Sequence, residues 1–206
     1  MSSLVSNSVV EKILKDAIEF HVHFAPDGLT ERKNDAFELL QDAKKAGLKA
    51  VVLKNKSCGT GAISRLANKY ANGSLAIGGI TLDVSVGGFN PAAVEIEASL
   101  DSKIVWMPTY SALNDPTHKK TDKDLIRNVL SPIDSAGNLL PEVLEILSII
   151  KENDMVLATG HISRKEIFVL VEKAIEMGID KIVVNHPLTS SVGTRLELED
   201  QISLAQ

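Results

Sequence analysis

Two histidines one residue apart, His21 and His23, close the apolar run Ala17-Ile-Glu-Phe-His-Val-His-Phe-Ala-Pro-Asp27. In a strand, alternate side chains share a face, so the two imidazoles point the same way, roughly 6–7 Å apart along the chain. Neutral imidazole is a ligand for zinc and other transition metals, and two from one rigid strand form half of a site at little entropic cost. Two more histidines end comparable runs: His161 follows Met155-Val-Leu-Ala-Thr-Gly160, and His186 follows Lys181-Ile-Val-Val-Asn185. With His21 and His23 as ligands and His161 or His186 completing the set, one position stays open for water, as in catalytic zinc sites. An ion there lowers the pKa of its water toward about 7 and polarises a carbonyl or phosphoryl oxygen. The competing reading is four ordinary histidines on half-buried strands.

Carboxylates and lysines accompany these runs. Asp27, four residues past His23, is placed to orient a ligand or act as a base, or else is a turn residue after Pro26. Lys54 interrupts an apolar strand at its end. A buried lysine needs a partner or a shifted pKa, so Lys54 meets a substrate anion or metal-linked carboxylate, or snorkels to solvent. Asp83 ends a third run, either orienting a ligand or serving as a loop carboxylate. Arg32 is read as a surface charge rather than a clamp on a substrate carboxylate. His118 is read as solvated among Asp115, Lys119, Lys120 and Asp122, Trp106 as core, and Thr159 and Asn185 as supporting groups.

The elements that must position these groups alternate regularly. Residues 8–16 form a short amphipathic helix leading into the first strand. A helix over about 34–45, with Ala36, Phe37, Leu39, Leu40 and Ala43 on one face, stops at Gly47. A second strand over Lys49–Lys54, a helix over 61–70 and a third strand over Leu75–Asp83 follow. Asn90-Pro91 opens a helix to about 100, and the fourth strand covers 103–109. Residues 110–140 form an insertion with a turn at Ser135-Ala-Gly-Asn138. Then come a helix from Pro141, a fifth strand over 155–159, a helix opened by the capping box Ser163-Arg-Lys-Glu166, a sixth strand over 181–185 and a last helix over 195–204.

Six strands alternating with helices imply an α/β fold of parallel strands with right-handed crossovers, TIM-barrel-like but incomplete, in one domain spanning residues 1–206. His21, His23, Asp27, Lys54, Lys56, Asp83, Thr109, His161 and His186 all fall at or just after the C-terminal ends of strands. Active sites of parallel α/β folds are built on that edge. Four of the five histidines land there, which favours metal binding over core histidines.

A length of 206 residues, 44% hydrophobic content and a net charge of −5 suit one domain with a sizeable core and no basic stripe for nucleic acid. Neither a membrane span nor a leader segment is recognisable, so the expected address is the cytoplasm with no membrane partner. The single cysteine, Cys58, excludes an intramolecular disulfide and a Cys-x-x-Cys zinc site.

The motifs His21-Val-His23, Thr159-Gly-His161 and Asn185-His186-Pro187 resemble the amidohydrolase superfamily of metal-dependent hydrolases. His21–Asp27, Val52-Leu-Lys54, Gly87-Gly-Phe-Asn-Pro91 and Val105-Trp-Met-Pro-Thr109 resemble, more narrowly, an amidohydrolase-related branch with no settled activity. The resemblance implies a (β/α)8 barrel whose histidines hold one or two divalent metals at its mouth. This chain departs from that pattern. It lacks the aspartate that follows strand eight in the superfamily. It also ends near the helix after strand six, so the barrel is expected to be incomplete: either the chain is part of a longer ancestral protein, or another chain supplies the missing wall, as in a homo-oligomer. Strand four offers Met107, Pro108 and Thr109 where many members place a bridging lysine or glutamate, and Lys56 stands where the branch often has an imidazole, so a single ion is expected.

The expected function is that of a metal-dependent hydrolase, or a decarboxylase or lyase on the same scaffold, acting on a small polar metabolite such as an amide or lactone. Its metal ligands are His21, His23, His161 and His186, and its catalytic residues Asp27, Lys54 and Asp83. Zinc is the first choice of ion, with manganese, iron or nickel as alternatives. The competing functions are a barrel-type phosphoesterase and a non-catalytic binding or assembly unit.

Overall fold

The computed structural model describes residues 7–115, 129–189 and 191–206; His118, Lys119, Lys120 and Asp122 lie outside them. Helix α1 (Asn7–Leu14) precedes strand β1 (Ile18–His23), and α2 (Ala36–Lys45) leads to β2 (Ala50–Lys54) and α3 (Gly61–Tyr70). The sequence predicts one third strand. It is broken at Gly78 into β3 (Leu75–Ile77) and β4 (Gly79–Thr81), where a Cβ would lie 2.8 Å from the Gly61 Cα. The close approach of α3 keeps this position without a side chain. After α4 (Pro91–Ser99) come β5 (Ile104–Trp106), α5 (Pro141–Glu152), β6 (Val156–Ala158), α6 (Arg164–Glu176), β7 (Ile182–Val183) and α7 (Leu198–Leu204).

All pairings are parallel and sequential: β1-β2-β3 in one sheet and β4-β5-β6-β7 in the other. Among the described residues β1 and β7 do not pair with each other, and no closed barrel forms. None of these helices is long and apolar enough to cross a membrane. The expected turn at Ser135–Asn138 sits in a minimal hairpin closed by an antiparallel bridge between Ile133 and Leu139.

Strand alternation divides the core. Ile80, Val105 and Leu157 face outward and pack with Val94, Ile146, Ile150 and Leu170 of α4, α5 and α6. Val51 and Leu53 pack under α2 and α3 against Leu40 and Ala67. The opposite faces send Val52, Ile104, Trp106 and Ala158 into a small inner cluster. The expected capping box Ser163–Glu166 forms on α6, and a second one, Asp35–Glu38, caps α2.

Helix α3 has no side-chain cap of its own. Buried Glu97 of α4 accepts instead from the Gly61 N–H at 2.8 Å and from the Ser102 hydroxyl. Replacing Glu97 by Ala strands both donors, and the expected cost is about 1–3 kcal/mol in urea unfolding. An unchanged midpoint would show that water replaces the carboxylate without loss.

Candidate functional site

The C-terminal ends of the strands enclose a cleft of about 470 Å³ lined by His21, His23, Arg32, Lys54, Lys56, His161, His186 and Val192. Larger scaffold elements explain each position. A register irregularity between Glu19 and Val22 rotates the end of β1, and His23 pairs with Lys54 across the ladder, which puts both on the inner face. The His21 and His23 rings lie 5.2 Å apart between centroids, and His21 rests 6.0 Å from the buried Trp106 ring behind the lining.

His161 and His186 arrive from the ends of β6 and β7 in the second sheet. The Asn185 N–H donates to the Thr159 hydroxyl at 3.0 Å, and the Gly160 N–H donates to the Asn185 side-chain oxygen at 2.9 Å, clasping the ends of β6 and β7. Gly160 has φ +60°, and a Cβ there would sit 2.2 Å from the Met107 carbonyl oxygen, so only glycine fits this crossing. His186 itself has φ +52°, an uncommon conformation for a residue with a side chain, and it directs the ring into the cleft. Its centroid lies 5.5 Å from His21 and 5.2 Å from His161.

The four predicted histidines therefore meet in one place, although β1 and β7 are not hydrogen-bonded neighbours. His161 Nδ1 is bonded to the Asp115 carboxylate, with both residues buried. Sequence reasoning places Asp115 in a solvated stretch; it is 4% exposed and lies 46 residues before its partner. Its short-range signal is only Asn114-Asp115-Pro116, a turn-like segment with no sign of burial. His23 Nδ1 is buried and has no hydrogen-bond partner among the described residues.

Lys54 does not snorkel. It is 1% exposed, donates to the Thr81 hydroxyl at 3.2 Å, and lies 5.0 Å over the Trp106 ring. Arg32, read from sequence as a surface charge, lines the cleft and donates through Nε to Asp27 at 3.1 Å. Asp27 also accepts from the Leu29 N–H at 2.9 Å and stands behind the lining. Asp83 is buried and accepts from the Thr109 N–H and hydroxyl and the Ser111 N–H, which anchors the chain leaving β5. Neither carboxylate reaches the cleft surface. Cys58 is exposed elsewhere on the molecule.

Electrostatics follow from this crowding. Burial, then the Lys54 ammonium, pushes His21 down to about 2 and His23 down to about 3. His186 is lowered by burial and then by His161 and Lys54, with Asp115 opposing. Burial lowers Lys54 to about 7 against the pull of Asp83. Burial alone would raise the Asp27 carboxyl, but the Leu29 N–H and Arg32 hold it below the usual carboxylate range.

Below pH 6.5 the unfolded chain takes up protons on His21 and His23 that the folded site refuses down to about pH 3. Stability of the metal-free protein is therefore expected to fall as pH drops through that window. Lys54 has the same sign between about 7 and 10.5, where only the unfolded chain keeps its proton, so stability rises with pH there. Urea midpoints across pH check both limbs: Lys54→Met should flatten the alkaline rise, and an identical slope in that variant would refute the assignment.

The family of unknown function DUF6282 matches residues 16–206, and the chain belongs to it. No curated protein matches the chain.

Proposed function

We propose that this member of DUF6282 is a metal-dependent hydrolase of the amidohydrolase kind, acting on a small polar metabolite at an amide, lactone or related bond. The observation that carries the reading is the convergence of His21, His23, His161 and His186 from the two sheets. Two imidazoles bound to one zinc at about 2.0–2.1 Å hold their centroids roughly 5 Å apart. Three pairs here stand at 5.2, 5.5 and 5.2 Å. The lowered proton affinity of three of these rings suits neutral ligands, and the orphaned His23 Nδ1 is a buried donor atom that ligation would satisfy. Among the described residues, no three His, Cys, Asp or Glu side chains already close around one point, so ligation requires the rings to turn about their side-chain bonds. The sequential parallel strands and their converging inner faces support reading the scaffold as an incomplete TIM-type barrel.

A bound divalent ion, zinc first, would supply a water of lowered pKa and a polarising centre. The chain's own groups do the rest. Asp115 fixes Nδ1 of His161 and leaves Nε2 for the cleft, as in histidine–carboxylate ligand pairs. Trp106 packs behind His21 and Lys54, and Lys54 in its protonated form offers a donor to negative charge developing on a substrate oxygen. Asp27 and Asp83 act here as positioning groups, through Arg32 and the Thr109–Ser111 segment respectively. The cationic lining by Arg32, Lys54 and Lys56 favours phosphoester hydrolysis as the second reading. A second copy of the chain remains the proposed cover for the free edge of β1, where Ile18 and Phe20 are exposed.

Elemental analysis of the purified protein tests the reading, with solution mass recorded alongside. About one equivalent of metal is expected, lost in a His21→Ala, His23→Ala double variant. Asp115→Ala is expected to weaken metal affinity by about 10- to 100-fold. Absence of metal from the wild-type protein, even after reconstitution, would overturn the proposal.

A further inference from the structure

The histidines occupy one side of the cleft, and its other side is built from bases of a different kind. Arg32, Lys54 and Lys56 line the wall formed by β1, β2 and the segments that follow them. Among the described residues no carboxylate shares the lining. The three nearby aspartates stand behind it, each already engaged: Asp27 by Arg32 and Leu29, Asp83 by Thr109 and Ser111, Asp115 by His161.

The lysines lack ionic partners. Among the described residues neither Lys54 nor Lys56 has a carboxylate within ion-pair distance. Lys54 spends one donor on the neutral Thr81 hydroxyl and faces the Trp106 ring, while Lys56 lies 5.3 Å over the Tyr110 ring. An ammonium carries three donors, so two on Lys54 remain for another acceptor. An anion in the cleft would stabilise the protonated form of Lys54, which its burial disfavours. Arg32 commits Nε to Asp27, which leaves its terminal nitrogens as the fork that suits a carboxylate or phosphate.

We propose that Arg32, Lys54 and Lys56 form an oxyanion subsite that holds a carboxylate or phosphate group of the substrate, so that the molecule turned over is a small anion lying across the cleft toward the histidines. The direction of the reacting bond rests on the hydrolase reading, whereas the subsite itself does not require a metal. A cleft of about 470 Å³ suits a metabolite of modest size rather than a polymer. The set of histidine ligands is uncharged, so an anionic substrate also balances the charge that a divalent ion would bring.

Calorimetric titration of inorganic phosphate and of malonate into chelator-treated protein, at low ionic strength, tests the subsite. Saturable binding of at least one anion is expected, weakened about tenfold or more in an Arg32→Gln, Lys56→Gln double variant. Both positions are partly exposed, and circular dichroism checks that the variant is folded. Stronger binding of malonate assigns a carboxylate substrate; stronger binding of phosphate assigns a phosphoester or other phosphorylated substrate. The His21→Ala, His23→Ala variant should keep anion binding while losing metal. No heat with either anion, or equal affinity in the Arg32→Gln, Lys56→Gln variant, would overturn the subsite. Metal retained without anion binding refutes the subsite alone, and anion binding without metal refutes the hydrolase reading alone.

Discussion

Positive charge held in a partly dry cleft is the constraint on which the site depends. Four imidazoles, a buried lysine, a second lysine and an arginine share about 470 Å³. If all were protonated, their mutual repulsion at short range and low dielectric would exceed what the fold could absorb. The structure meets the problem in three ways: burial keeps His21 and His23 neutral, aromatic faces receive the two lysines, and aspartates behind the lining take up part of the charge. What remains is a pair of neutral imidazoles beside two lysines that, among the described residues, have no carboxylate within ion-pair distance, a surface that favours metals and anions over cationic ligands.

The scaffold makes this crowding possible because its parallel strands end on one edge. Outward residues of β4, β5 and β6 bury against α4, α5 and α6, and the inner residues converge until Trp106 supports His21. Short polar clasps then set the last few ångströms. Thr159 and Asn185 tie β6 to β7, Asp83 ties the chain after β5 to β4's end, and Thr60 bonds the Leu53 and Gly79 carbonyls beneath the β2 end. These are buried hydrogen bonds with neutral or carboxylate acceptors, so each resists the loosening expected of loops. His186 and Gly160 carry backbone conformations that such a framework must hold in place.

Much of the fold was legible because its signals are local. The capping box at Ser163, the proline-opened helices at Pro91 and Pro141, and the apolar runs with terminal histidines each occupy a few adjacent residues. The break at Gly78 was not legible, since it comes from the approach of Gly61 and Ser102, residues 17 and 24 positions away by subtraction of their numbers. Arg32 was assigned to the surface for a similar reason: its neighbours in the chain are polar, while the wall it joins is built from β2.

By itself, then, the sequence determined the alternation of strands and helices and the set of polar residues delivered to one sheet edge, because strand periodicity and helix capping are encoded within a few residues. Tertiary structure decided which of those residues touch. It brought His21 of one sheet beside His186 at the end of the other, placed Asp115 behind His161, buried Lys54 with no carboxylate in ion-pair distance among the described residues, and turned Asp27 and Asp83 away from the cleft. Those outcomes depend on sheet curvature and on contacts between distant segments, and the energies of burial and charge that select among them exist only once the chain has closed around the site.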